Sequence, residues 1–162
     1  MAKKLEIERC NSSMQLTRAA DYAVRVMIHL ATVPRGERAS LPAIVEATGA
    51  PESFLSKVLQ SLTHGRLITS RRGPAGGFEI SAPGRHSSMR EVIEAIDGPV
   101  SLNICVSEKR SCPRQGWCPA HPVWAAAQAA MLEVLSGAKI ADLASASAYM
   151  AGLAAQKTGT GD

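Results

Sequence analysis

Three of the four cysteines, Cys105, Cys112 and Cys118, fall within fourteen residues, while Cys10 stands apart in a polar leader. Six residues separate Cys105 from Cys112, five separate Cys112 from Cys118, and two separate Cys118 from His121. Three thiolates and an imidazole are a metal-ligand set. Cys118 and His121 lie three apart at the expected start of a helix, so they share a face. Pro113 and Pro119 each follow a cysteine and stiffen the loop, which lowers the entropy cost of organising ligands. Lys109, Arg110 and Arg114 favour the thiolate form. The spacing is neither the paired pattern of a zinc ribbon nor a ferredoxin run. An iron–sulfur cluster is the leading expectation, with zinc or metal-free redox thiols as alternatives. Cys10 is not expected to be a ligand.

A second set of residues suits a different chemistry. Ser53, Ser56, Lys57 and Gln60 recur at i, i+3, i+4 and i+7, opposite the apolar face Phe54, Leu55, Val58, Leu59 and Leu62. A short helix, a Gly-containing turn at 48–51 and a longer helix with such a polar face form a helix-turn-helix pattern. Downstream, Arg71-Arg72-Gly73-Pro74-Ala75-Gly76-Gly77 separates two short strand-like runs, 67–70 and 78–80. Two arginines at the lip of a Gly/Pro-rich hairpin make a wing that can enter a groove or bind phosphate. The loop lacks the Lys-Ser/Thr ending of a nucleotide-phosphate loop.

The elements that must position these residues follow from periodicity. Thr17 caps a first helix through Ala19, Tyr22, Ala23, Val26, Met27 and Leu30. Ser40 caps a short helix with Pro42 in its first turn, and Gly65 ends the helix that begins near Glu52. Met89, Val92, Ile93 and Ile96 define a helix over 88–97, stopped by Gly98-Pro99. An Ala-rich helix spans 119–136, with Val123, Ala127, Ala130, Met131 and Val134 in one stripe beside Trp124. So small a chain offers that stripe little partner surface, so a dimer helix is expected. Residues 140–143 start a last short helix. His29, His64 and His86 read as structural or solvated residues.

The 162 residues carry 46% apolar and 20% charged residues, ordinary globular composition with enough chain for a core. No apolar run reaches membrane-spanning length and the leader has no secretory h-region, so a cytoplasmic protein is expected. Residues 14–90 hold ten Lys/Arg against five Asp/Glu, whereas residues 91–162 hold five against seven. The basic half suits a polyanionic partner. No nucleophile–base constellation appears, which argues against an enzyme.

Taken in order, Met14-Gln15-Leu16-Thr17, Asp21-Tyr22-Ala23-Val24-Arg25, the wing Arg72–Phe78, the three-cysteine loop and Ile140-Ala141-Asp142-Leu143 resemble the Rrf2 family over about 14–144. These are bacterial winged-helix regulators, among them IscR-, NsrR- and RirA-like proteins. The resemblance implies a homodimer on a near-palindromic double-stranded DNA operator and an iron–sulfur cluster held by Cys105, Cys112 and Cys118. His121 resembles the IscR-like arrangement, in which a His completes a 2Fe–2S site. Asp21 resembles the NsrR-like position, where an Asp of the partner subunit completes a 4Fe–4S site. The six residues between Cys105 and Cys112 depart from the five common in the family.

The expected fold is therefore mainly α with a small β wing: a winged helix-turn-helix plus a long C-terminal dimerisation helix. Residues 1–13 form a flexible leader, 14–82 the DNA-binding region, 83–145 the cluster loop and dimer helix, and 146–162 a mobile tail. Thr17, Ser53, Ser56, Lys57, Gln60, Arg71 and Arg72 form the expected DNA-facing set. The metal set is Cys105, Cys112, Cys118 and His121, with Asp21 as the alternative fourth ligand. The functional expectation is a cluster-dependent transcriptional regulator sensing iron–sulfur status, iron, nitric oxide or redox stress, with 2Fe–2S ahead of 4Fe–4S. Its rivals are a regulator using zinc or direct thiol redox, and a small redox or electron-transfer protein.

Overall fold

The computed structural model describes residues 16–108 and 112–148. The expectations for the leader, Cys10, Lys109, Arg110 and the tail beyond 148 lie outside the described residues. In chain order, α1 (Arg18–Thr32), α2 (Leu41–Thr48) and α3 (Glu52–His64) precede a hairpin of β1 (Ile68–Arg71) and β2 (Gly77–Ile80). Then come α4 (Ala82–His86), α5 (Met89–Asp97), a 3-10 turn at Ile104–Val106 and α6 (His121–Gly137). Residues 140–148 are helical as well.

Apolar spacing sets the core. Ala23, Val26, Met27 and Leu30 of α1 are buried, as are Leu55, Val58, Leu59 and Leu62 of α3. Val92 and Ile93 of α5, with Ile140 and Ala144, close the same cluster. Caps sit where short polar side chains allow them. The Thr17 hydroxyl accepts from the Ala20 N–H at 3.2 Å, and Ser40 accepts from the Ala43 N–H at 3.3 Å. Ser88 and Glu91 form a reciprocal capping box at the start of α5.

Phe54 departs from its expected core role. It is 42% exposed, because it lies about a quarter turn round α3 from the centre of the arc that buries Leu55, Val58, Leu59 and Leu62, and its ring meets Tyr22 edge-on at 5.8 Å. The wing pairs Ile68 with Ile80 and Arg71 with Gly77, so Arg71 closes β1 rather than standing in the loop. Ala39 bridges Phe78 with two 2.9 Å hydrogen bonds, welding the wing's base to the start of α2. Gly77 permits this approach: its φ is 141°, and a Cβ there would lie 2.6 Å from the Ala39 carbonyl oxygen. The five-residue α4 has no counterpart among the expected elements.

Helix α6 starts at His121 and runs one residue past the expected end, to Gly137. Val123 and Val134 of its apolar stripe are 69% and 72% exposed, and Ala127 and Ala130 are exposed beside them. The end of α6 is tied to the start of α5. The Met89 N–H donates to the Ala138 carbonyl at 2.8 Å and the Ile140 N–H to the Ser87 carbonyl at 3.0 Å. Among the described residues no helix is long and apolar enough to cross a membrane.

Candidate nucleic-acid interface and cysteine loop

Burial of Leu55, Val58, Leu59 and Leu62 turns the opposite face of α3 outward, and Ser53, Ser56, Lys57 and Gln60 are all exposed on it. The wing stands beside that face. Between the two runs a groove of about 530 Å³, lined by Ser56, Gln60, Thr63, His64, Ser70, Arg71 and Arg72 among others. The structure thus brings Ser56 and Gln60 of the helix and both wing arginines to one concavity. Thr63, His64 and Ser70 share it and were missed: Thr63 and His64 continue a helix face that was read only as far as Gln60, and Ser70 stands on β1 beside Arg71. Among the described residues, ion pairs join Asp21 to Arg25, Arg38 to Glu79 and Arg90 to Glu94, which leaves Lys57, Arg71 and Arg72 without carboxylate partners. Uncompensated cations flanking an exposed face of hydroxyls and an amide suit a polyanion whose base edges carry hydrogen-bonding groups.

Thr17 stands elsewhere, at the foot of α1. Its N–H and hydroxyl donate to the two carboxylate oxygens of Asp97, at 3.2 and 2.7 Å. It therefore joins α1 to the end of α5 while it caps α1.

The three cysteines of the loop are free and half-buried. Cys105 lies in the 3-10 turn, which packs against α6. Cys112 and Cys118 bracket a run of turns: the Gln115 N–H donates to the Cys112 carbonyl at 3.0 Å, and the Cys118 N–H to the Arg114 carbonyl at 2.9 Å. The His121 N–H donates to the Cys118 carbonyl at 3.1 Å, so these two residues sit one turn apart at the root of α6. The imidazole Nδ1 of His121 is buried without a hydrogen-bond partner. A buried, unpartnered nitrogen is costly unless it takes a ligand. In donor chemistry the set fits a metal or cluster. In placement, no three of these donors form one ligand group among the described residues.

Asp21 lies on the first turn of α1, exposed and paired with Arg25 at 2.9 Å. Trp117 is 71% exposed, with the Arg114 guanidinium 5.7 Å from its ring. Trp124 is half-buried. Burial holds His29 below the ordinary imidazole pKa, and its Nε2 has no partner, so it is a neutral residue of α1. Gln128 was missed altogether. It is the buried residue of α6, and it bonds to the backbone of residues 100 and 102.

A helix pair ending in an exposed polar reader and followed by a two-stranded wing defines a winged helix-turn-helix regulator. The sequence matches the Rrf2 family, described as an iron-dependent transcriptional regulator, over residues 16–146. The chain belongs to the Rrf2 family. An HTH-type transcriptional regulator by name, from Mycobacterium tuberculosis, is 36% identical over 132 residues, covering 81% of each chain. A similarly named protein of Azotobacter vinelandii is 34% identical, covering 80% of this chain and 79% of that one. Among solved structures, CymR, the global cysteine regulator of B. subtilis, matches with a TM-score of 0.65 at 26% identity, covering 81% of this chain and 96% of its own. IscR of T. potens matches with a TM-score of 0.65 at 21% identity, over 82% and 88% of the two chains, a likeness of fold. Family and relatives are transcriptional regulators rather than enzymes.

Proposed function

We propose that this protein is a homodimeric transcriptional regulator whose operator affinity depends on an iron–sulfur cluster held by Cys105, Cys112, Cys118 and a weaker fourth ligand, His121. The observation that carries this reading is the donor set at the root of α6: three free thiols on one loop and an imidazole with a buried, unpartnered Nδ1. The family's description as iron-dependent supports it. Thiolates bind iron strongly, whereas an imidazole is weaker and protonatable, so one labile corner suits a sensor. When bound, the cluster would supply a redox- and iron-sensitive crosslink between the loop and α6. The exposed apolar face of α6 supports dimerisation, and the groove between α3 and the wing supports operator binding. A dimer places two such grooves for a near-palindromic site. Loss of the cluster would loosen residues 98–118 and shift the two reading heads, with a coupling of about 1–3 kcal/mol for a switch of this kind.

One observation favours a second reading, direct thiol redox without metal: the described residues do not gather three donors. Anaerobic purification separates the readings. Visible absorption bands with bound iron and sulfide support the cluster. Colourless protein with stoichiometric zinc supports a zinc site, and colourless metal-free protein supports the thiol reading.

A further inference from the structure

Helix α6 has 17 residues, and the one it buries among the described residues is polar. A buried amide is costly unless both its ends are matched. Gln128 meets that condition on a single strap of backbone. Its Oε1 accepts from the Leu102 N–H at 2.8 Å, and its Nε2 donates to the Val100 carbonyl at 2.7 Å. Residues 100 and 102 are alternate positions, so the amide pairs with them much as a neighbouring strand would.

The strap connects two things that matter. Upstream it begins at Gly98, with φ 79° and ψ −171°, a conformation suited to glycine. Just before it stands Asp97, which holds Thr17 at the start of α1. The Val100 N–H reaches the Glu94 carboxylate at 3.4 Å, a weaker tie to α5. Downstream, the Asn103 side chain accepts from the Ile104 N–H at 2.7 Å and caps the 3-10 turn that carries Cys105. Nine residues, 97–105, thus run from the foot of the DNA-binding region to a thiol, and Gln128 fastens them to α6 in the middle.

We infer that Gln128 is a positioning residue for the cysteine loop: its amide fastens strap 98–103 to α6 and thereby sets where Cys105 stands relative to Cys118 and His121. The inference rests on the proposed role of Cys105 as a ligand. Ligation would join the strap to the root of α6, and Gln128 joins the same two elements two turns along. Two links across one interface reinforce each other, because each is formed in the geometry that the other stabilises. The fastening is also close to two-state. If the strap leaves, two side-chain groups and two backbone groups lose their partners together and must be rewetted.

The test is Gln128→Leu, which leaves an apolar side chain one methylene shorter and removes both hydrogen bonds. In metal-free protein, hydrogen exchange at the Leu102 amide should quicken at least about tenfold, while core amides of α1 and α3 keep their rates. In protein loaded with iron and sulfide, loss of iron to a chelator should quicken about tenfold. Gln128→Glu keeps an acceptor for Leu102 and offers no donor to Val100, so it should fall between, and it serves if the leucine variant fails to fold. Unchanged Leu102 exchange in a folded variant overturns the fastening. Unchanged iron retention with quickened exchange overturns its role toward Cys105. A wild-type protein that never takes up iron overturns the cluster reading instead, and the exchange measurement still decides whether Gln128 holds the strap.

Discussion

Arg71 and Arg72 make no ion pair among the described residues, and both line the groove beside Ser56 and Gln60. Arg71 ends β1 opposite Gly77, so it is held by the hairpin ladder rather than by a mobile loop. Replacing both with alanine removes two cations from the proposed interface and leaves the apolar core untouched. If each meets one phosphate, the slope of log affinity against log salt flattens by about 1.8, from about 0.9 per phosphate. Between 50 and 200 mM salt, a fourfold rise, that slope difference amounts to about twelvefold in affinity. Fluorescence anisotropy on an operator duplex and on an unrelated duplex, at three salt concentrations, measures it. The loss should be similar on both duplexes, since phosphate contacts carry little sequence information. Changing Gln60 to alanine should instead alter the bases returned by a binding-site selection. An unchanged salt slope in the double arginine variant would remove the wing from the interface.

Alanine at Cys105, Cys112 or Cys118 should abolish the visible bands of anaerobically purified protein, and alanine at Cys10 should leave them. His121→Ala should retain a cluster of altered spectrum or lifetime while Asp21→Ala is nearly silent; the reverse outcome would make Asp21 the fourth ligand. Ala127→Glu with Ala130→Glu places charge on the exposed face of α6 and should yield a monomer in sedimentation; a persistent dimer refutes that interface. The Ser88 backbone and hydroxyl donors hold the Glu91 carboxyl below the ordinary glutamate range. Its stabilisation is therefore present above the unfolded-state pKa and is lost as pH falls through the lower folded-state value. Glu91→Ala should lower Tm at neutral pH, and the gap to wild type should close on acidification; a gap independent of pH would count against the capping box.

The reading helix and wing were legible because their signals are local. The spacing of Leu55, Val58, Leu59 and Leu62 fixes which side of α3 is buried, and so which side carries Ser56, Lys57 and Gln60. The glycines around Pro74 mark the hairpin. Phe54 was misread because apolar character alone does not say how far round a helix the core extends: Leu55 beside it is fully buried. Gly65 does end α3, yet its φ is −69°, and the left-handed residue is Arg66 with φ 59°. A Cβ at Gly65 would meet the Ala95 Cβ at 3.5 Å, an ordinary contact, so neither φ nor space demands glycine there. Helix α4, five residues with a proline in its first turn, is too short to show periodicity. Gln128 left no trace in the sequence, because its partners are backbone groups 26 and 28 residues away and a backbone group has no residue type. The cysteine spacing offers Cys105, Cys112, Cys118 and His121 as one donor set; among the described residues no three of them form a ligand group, and such gathering depends on long-range placement that spacing does not encode.

The central claim is that a cluster on the cysteine loop sets the affinity of the groove for DNA. Operator affinity, measured anaerobically on one preparation before and after iron removal by a chelator, with apoprotein reloaded as control, tests it most directly. The account predicts a change of about 5–150-fold that reloading reverses and that Cys105→Ala abolishes. Equal affinity in the loaded and stripped states would contradict it.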